Sequence, residues 1–340
     1  MSFGGWLQER WYRRRLVPAL WLLAPLSLLF RLVSALRRFA YRCGWLPVLR
    51  LPVPVVVVGN LTAGGAGKTP LVLWLAGALQ RAGWRPGIVS RGYGAAEPGP
   101  FAVTPDAAPA RVGDEPLLLA RRSGLPVWIG RDRGAAAQAL LARHPEVNLL
   151  LCDDGLQHYR LARDVEIAVF DGRGAGNGWP LPLGPLREPL DRLRRVHALV
   201  FNGAPDHRVL KAAPHLPDFA MSLEPGEFYR LDDPTQRCTA AQLAGRRLHA
   251  VAGIGDPARF FRTLAQLGLE FTPHPFPDHY AYKADDLRFA EGEVVLMTEK
   301  DGVKCASFDL GEAWVLPVEA RLPPELIHVL LETLNGPKAP

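Results

Sequence analysis

Residues 55–70 read VVVVGNLTAGGAGKTP, and this stretch most constrains the fold. Four consecutive Val leave no polar face, so the run reads as a strand buried on both sides, as in a parallel sheet. A glycine-rich turn ends in Gly67, Lys68 and Thr69, and helical spacing follows at Leu71, Leu75 and Leu79. Strand, glycine turn, GKT and helix together read as a phosphate-binding loop, whose backbone N–H groups and positive helix end face an anion. In that arrangement Lys68 reaches the β- and γ-phosphates and Thr69 binds Mg²⁺. Pro70 falls in the first helical turn, where its missing N–H breaks no bond. The loop comprises Thr62, Ala63, Gly64, Gly65, Ala66, Gly67, Lys68 and Thr69. Thr62 stands where the pattern GxxxxGK[ST] has its first Gly. The expected ligands are ATP and Mg²⁺.

Short apolar runs alternate with helical patterns beyond the loop. Strands are expected at 53–58, 87–90, 127–129, 149–152, 167–170 and 198–201, with helices at 68–82, 116–122, 134–143 and 205–213. This predicts an α/β fold: a parallel sheet of the P-loop NTPase type, sandwiched by helices. A second series, with strands at 248–252, 269–273 and 294–297 and helices at 257–267 and 324–334, predicts a smaller C-terminal α/β domain. The expected division is a membrane-associated helical segment at 1–45, a nucleotide-binding domain at 46–217, an extended β linker at 218–234 and the second domain at 235–340. The Ala- and Pro-rich stretch 95–110 reads as a surface loop. The run LLLCDD at 149–154 ends a strand in two acids, so Asp153 and Asp154 are the candidate Mg²⁺ carboxylates. Either could bind directly or through water.

Charge separates the possible partners. The chain carries a net +6, but residues 1–50 alone hold nine Arg against one acid, Glu9. The remainder is slightly acidic, which speaks against nucleic acid and for an anionic membrane surface near the N-terminus. Residues 17–30, VPALWLLAPLSLLF, are uncharged but shorter than the roughly 20 residues of a spanning helix. A cleaved signal peptide would remove the loop from ATP. A buried core helix is the ordinary alternative. A membrane-embedded or interfacial anchor fits best, with Trp6, Trp11, Tyr12, Trp21 and Tyr41 available at headgroup level. Whether it spans stays open. The four Cys, at 43, 152, 238 and 305, form no CxxC pair and read as reduced thiols, without a zinc site or disulfide framework.

Within P-loop proteins, two classes fit poorly. A GTPase needs an Asn/Thr-Lys-x-Asp base reader, whereas Thr298-Glu299-Lys300-Asp301 has the wrong order. Membrane-associated partitioning ATPases carry KGGxGKT, and the signature Lys is here Ala63. That switch-type ATPase remains the alternative to a kinase. Seven segments instead resemble the tetraacyldisaccharide 4′-kinase family, the lipid A kinases of Gram-negative bacteria. They are VGNLTAGGAGKTP (58–70), SRGYG (90–94), VGDEP (112–116), DDGLQH (153–158), GPLREPL (184–190), FPDHYAY (276–282) and LMTEKDGVKC (296–305), in the family's order.

The resemblance implies transfer of the ATP γ-phosphoryl group to the 4′-hydroxyl of an acylated glucosamine disaccharide 1-phosphate. The setting would be the cytoplasmic face of the inner membrane, and no obligate protein partner is implied. It makes Asp114 the general base, His279 its partner and Lys68 the third catalytic residue. It also implies that the two domains must close to join Asp114 to His279. It assigns the acceptor to Arg91, Arg133, Gln157, Arg187 and Glu188, with Arg131 an alternative to Arg133, and tolerates Ser or Thr at position 62. Taken alone, Gly-Asp-Glu-Pro is a helix start with Asp114 as N-cap, and a lone His in a Pro-rich loop is an ordinary surface residue. Lys300 and Asp301 are left between ion pairing and nucleotide contact.

Overall fold

The valine run lies at the centre of a nine-stranded sheet in the computed structural model, which describes residues 3–13, 17–97, 99–289 and 292–335. Arg14 and Arg15 of the basic N-terminus, and Pro98 of the 95–110 stretch, lie outside the described residues. The chain begins with α1 (Phe3–Trp11), a 3-10 helix (Pro18–Leu23) and α2 (Ala24–Arg42). The large unit continues through β1 (Val55–Gly59), α3 (Lys68–Arg81), β2 (Pro86–Ser90), β3 (Phe101–Val103), α4 (Pro109–Val112), α5 (Asp114–Ser123), β4 (Val127–Ile129) and α6 (Arg133–Arg143). Then come β5 (Leu149–Asp153), β6 (Val165–Asp171), β7 (Ala198–Asn202), α7 (His207–Ala212) and β8 (Asp218–Pro225). The smaller unit has β9 (Phe228–Arg230), β10 (Arg237–Cys238), α8 (Ala240–Leu243), β11 (Leu248–Ala252), α9 (Pro257–Gln266), β12 (Thr272–Pro275), β13 (Val294–Thr298), α10 (Glu299–Cys305) and β14 (Ala313–Leu316). β15 (Val318–Arg321) and α11 (Glu325–Asn335) close the described chain.

The large sheet has the order β15-β8-β7-β6-β1-β5-β2-β4-β3. Strands β8 to β4 in that order run parallel, and β15 and β3 are antiparallel edges. Side chains alternate across a strand. Val56 and Val58 therefore enter the core built by α3, α5 and α11, while Val55 and Val57 enter the core under α6 and α7. Burying each Val on both faces contributes on the order of 2 kcal/mol. The helix–sheet–helix sandwich follows, and it places the glycine turn at the carboxyl edge of the sheet. There β1 runs beside β5, with Val58 opposite Asp153. The smaller sheet, β10-β9-β14-β13-β11-β12, is parallel from β14 to β12.

Four expectations change. The segment 218–234 contains β8, which pairs with β7 inside the large sheet, and β9, which pairs with β14 in the small one. It joins the two sheets by belonging to both. The chain beyond 317 does not stay in the smaller unit: β15 pairs with β8, and Leu326 and Leu330 are fully buried in the core shared with α3. The 95–110 stretch contributes β3, an edge strand on β4. The strand expected at 269–273 lies later, at β12.

The stretch Leu20–Arg42 is long and apolar enough to cross a membrane by length and composition, and only 11% of its apolar window is buried. Leu28, Leu29, Leu32, Val33 and Leu36 are all more than half exposed. Trp11 and Tyr12 depart from the headgroup placement expected of them. Trp11 is buried because its indole Nε1 donates to Pro182 O at 2.9 Å, and Tyr12 packs beside it. Cys43, Cys152, Cys238 and Cys305 are free thiols, Cys43 exposed and the other three buried.

The return of the C-terminus generates a prediction. Leu326→Ala should destabilise the large unit by about 2–5 kcal/mol, the range for an emptied Leu site. Urea unfolding would measure it. A loss below about 1 kcal/mol would contradict the packing of α11 against the large sheet.

Candidate active site

The glycine loop is tethered on its outer side to residues 185–187. Ala63 N donates to Pro185 O at 2.7 Å, Arg187 N donates to Leu61 O at 2.6 Å, and Thr62 bridges Leu186 in antiparallel fashion. Thr62 is 5% exposed and pairs with Leu186, so its side chain packs against protein. An extended residue that packs there needs no glycine. Gly67 does: its φ is 88°, and a Cβ would come within 2.4 Å of Asn202 Nδ2. Lys68 Nζ donates to Asn60 Oδ1 at 3.3 Å and lies 3.5 Å from Asp154 Oδ1. Asn60 and Asn202 were not singled out by the sequence reading. Asn60 sits inside the quoted VGN segment, but Asn202 ends a strand with no motif around it.

The two acids after β5 differ sharply. Asp154 is in left-handed backbone, with φ 49°. Arg187 Nη1 donates to both of its carboxylate oxygens at 3.0 Å. Burial works to raise its pKa, but Lys68 and Arg187 prevail and hold the carboxyl at about 2. Asp153 is fully buried and accepts from Ser90 Oγ at 3.3 Å through Oδ2. Burial, with the Glu115 charge nearby, pushes its carboxyl up to about 7. Its Oδ1 is buried without a hydrogen-bond partner among the described residues. An unpartnered carboxylate oxygen whose charge is penalised suits a hard cation, and Thr69, which lines the same cleft, adds a hydroxyl. The donor set fits Mg²⁺.

Asp114 begins α5 after Gly113, whose φ of 87° makes the sharp entry to the helix. His279 lies on the loop after β12, with φ 58°. The two meet between the sheets: His279 Nδ1 is 3.2 Å from Asp114 Oδ2. They are already joined here, although far apart in sequence. Lys300, at the start of α10, donates to Glu115 Oε1 at 3.1 Å and Asp278 Oδ1 at 3.2 Å. Its Nζ is also 3.4 Å from His279 Nε2 and 3.9 Å from Asp114 Oδ2. Burial works to lower the Lys300 pKa, yet the three carboxylates around it raise it well above its ordinary value. Lys300 thus forms ion pairs with carboxylates of both units. Asp301 is buried and accepts from Gly253 N, Tyr282 Oη and Thr298 Oγ1, so it shapes the loop after β11.

One cleft of about 1310 Å³ is lined by the glycine loop, Asp153, Asp154, His279 and Lys300. Arg91, Arg131, Arg133, Arg187, Gln157 and Glu188 also line it. Most of the polar candidates have protein partners. Arg133 is buried and donates to Asp154 O at 2.7 Å, while Arg131 is exposed. Gln157 Nε2 donates to Asn60 O at 3.2 Å and Glu188 Oε2 at 3.3 Å. Glu188 also accepts from Tyr159 Oη and from Arg38 Nη1 of α2. Tyr93, missed by the sequence reading within SRGYG, sets its ring 4.9 Å from the His279 ring.

The pair has a signed pH dependence. For Asp114, burial works upward, but the His279 hydrogen bond and the Lys300 charge hold its pKa below the usual range. The Asp114 hydrogen bond raises the pKa of His279 against burial and Lys300, with Asp278 adding to the rise. Stability from a raised His is fully present below the unfolded value of about 6.5 and is lost as pH climbs through the folded value. The stability gap between the native chain and His279→Asn should therefore narrow as pH rises above the unfolded value of about 6.5. Thermal unfolding across that range checks it, and a gap that widens with pH would contradict the pairing.

Residues 19–335 match the family described as Tetraacyldisaccharide-1-P 4'-kinase. The tetraacyldisaccharide 4'-kinase of Dechloromonas aromatica is 58% identical over 333 residues, covering 97% of this chain and 98% of that one. That of Chromobacterium violaceum is 51% identical, with 97% and 98% covered. A crystal structure described as the "apo" form of LpxK from Aquifex aeolicus, in complex with ATP, superposes with a TM-score of 0.78 at 30% identity, covering 93% of this chain and 99% of that one. A match over nearly the whole length, at these identities and on the same fold, means that the chain belongs to the tetraacyldisaccharide 4'-kinase family.

Proposed function

We propose that the chain is an ATP-dependent kinase that phosphorylates the 4′-hydroxyl of an acylated glucosamine disaccharide 1-phosphate in lipid A synthesis. The observation that carries this reading is the Asp114–His279 pair, formed between the two sheets, with His279 lining the cleft that also holds the phosphate loop. A sugar hydroxyl is a weak nucleophile until a base accepts its proton. Asp114 is ionised at neutral pH and is held at 3.2 Å from an imidazole that can share the arriving proton. The oxygen of the acceptor forms the new P–O bond, the bond between the γ-phosphorus and the bridging oxygen breaks, and ADP leaves. Lys68 stabilises charge on the transferred group. Asp153 and Thr69 would hold Mg²⁺, which neutralises phosphate charge when bound. Arg187 and Lys68 commit Asp154 to orienting the loop, so Asp153 is the direct carboxylate in this reading. Arg91 and Arg131, both exposed in the cleft, suit the acceptor's 1-phosphate.

The apolar face of α2 supports interfacial membrane attachment, which would bring the cleft to a lipid acceptor on the cytoplasmic face of the inner membrane. Ala63 packs in the cluster formed by Leu7, Trp11, Leu20 and Leu183. The flank where a partitioning ATPase would admit a partner is thus covered by the chain's own N-terminal segment.

Incubation with ATP, Mg²⁺ and tetraacyldisaccharide 1-phosphate should yield the bis-phosphorylated product. ATP hydrolysis without acceptor, and no transfer with it, would instead favour the switch-type ATPase. Asp114→Ala should lower kcat by about 10²–10⁴ while ATP binding is retained, and an unchanged kcat would remove Asp114 from the mechanism. Replacing Leu29, Leu32 and Leu36 by Gln should weaken retention on anionic vesicles at least about tenfold, given the apolar area withdrawn. Equal flotation of variant and native chain would exclude α2 as the anchor.

A further inference from the structure

A phosphate loop works by turning successive backbone N–H groups toward one anion. The peptide unit is planar and trans, so the carbonyl of each unit points away from the N–H that follows it. Holding a carbonyl therefore aims the next N–H. In this loop four successive carbonyls are each held by a side chain. Tyr12 Oη donates to Ala63 O at 3.2 Å. Asn60 Nδ2 donates to Gly64 O at 3.0 Å. Arg173 Nη2 donates to Gly65 O at 3.0 Å. Asn202 Nδ2 donates to Ala66 O at 3.3 Å. The N–H groups so aimed belong to Gly64, Gly65, Ala66 and Gly67.

The donors are themselves braced. Arg173 also donates to Asp171 Oδ2, at 2.9 Å from Nε and 2.6 Å from Nη2. Its guanidinium lies over the Tyr12 ring, 4.6 Å from the centroid. Tyr12 follows Trp11, which is bonded to the 177–183 turn through Pro182 O and Asn177 N. That turn leads into residues 185–187, which hold Thr62 and Ala63 from the other side.

We propose that Tyr12, Asn60, Arg173 and Asn202 are positioning residues that hold the loop's N–H groups in the polyphosphate-binding arrangement, and that the N-terminal segment is thereby part of the nucleotide site. This rests on the reading of the loop as an ATP site. Loss of one donor leaves a carbonyl free to rotate its peptide, and the N–H on the far side leaves the phosphate.

Full-length protein in detergent, titrated with ATP by calorimetry and assayed for transfer, tests this. Tyr12→Phe keeps the ring under Arg173 and removes only the hydroxyl. It should weaken ATP binding about fivefold, the value of one hydrogen bond. Arg173→Gln should weaken it at least as much, and Arg173→Lys, which keeps a donor, should recover part of the loss. In each case KM for the lipid acceptor should stay within about twofold, because the donors act on the phosphate loop alone. ATP affinity within twofold of native in both Tyr12→Phe and Arg173→Gln would overturn the proposal. So would equal rises in both KM values with a parallel loss of thermal stability, the pattern of a general packing defect. Failure of the native chain itself to bind ATP would overturn the nucleotide reading, a separate result.

Discussion

A loop that offers its N–H groups to an anion must turn its carbonyls outward, and those carbonyls must be satisfied. Much of this molecule meets that demand. Donors come from the strand end at Asn60, from Asn202 at the end of β7, from Arg173 after β6 and from Tyr12 near the N-terminus. The parallel sheet makes this possible, because β1, β6 and β7 all deliver their carboxyl ends to one edge. The same edge receives β5 and its two acids. Asp154 lies between Arg187 and Lys68, while Asp153 keeps a buried oxygen without a hydrogen-bond partner among the described residues. Buried charge is costly unless paired, so the difference between these neighbours is a difference of partners.

The second sheet completes the site from across the cleft. Lys300 is the strut: its ammonium lies among Glu115 of the large unit, Asp278 of the small one, and the Asp114–His279 pair. Arg122 and Glu299 add a second ionic tie between α5 and α10, at 2.5 Å. The Asp114–His279 contact is built from both sheets, so its geometry depends on the relation between the two units.

How much was legible in the residues follows from burial. Strands sealed on both faces, such as β1, β5 and β7, are continuous apolar runs and stand out. β8 alternates exposed and buried at its start, β3 has three residues, and β15 reads VEAR. Strands that are very short or keep one wet face leave only a short period-two signal, so two of these segments read as linker or loop. β15 also had a partner nearly a hundred residues back, which no local pattern reveals. Among the site residues, Lys68, Thr69, Asp153, Asp154, Asp114 and His279 sit in motifs and could be named beforehand. Asn202, Arg173 and Tyr12 sit in none, because a donor to a carbonyl is recognised only by where it arrives.

The sequence by itself determined the phosphate loop, the doubly covered parallel sheet, the basic and apolar character of the N-terminus and the family. Each is written in local order: a valine run, glycine spacing, clustered Arg, collinear motifs. Tertiary structure decided which acid keeps an open oxygen, that Asp114 meets His279, that the last strand rejoins the first sheet, and that Tyr12 turns inward to the loop. Those outcomes depend on which distant side chain supplies a hydrogen bond or a countercharge, and only the folded chain brings the partners within reach.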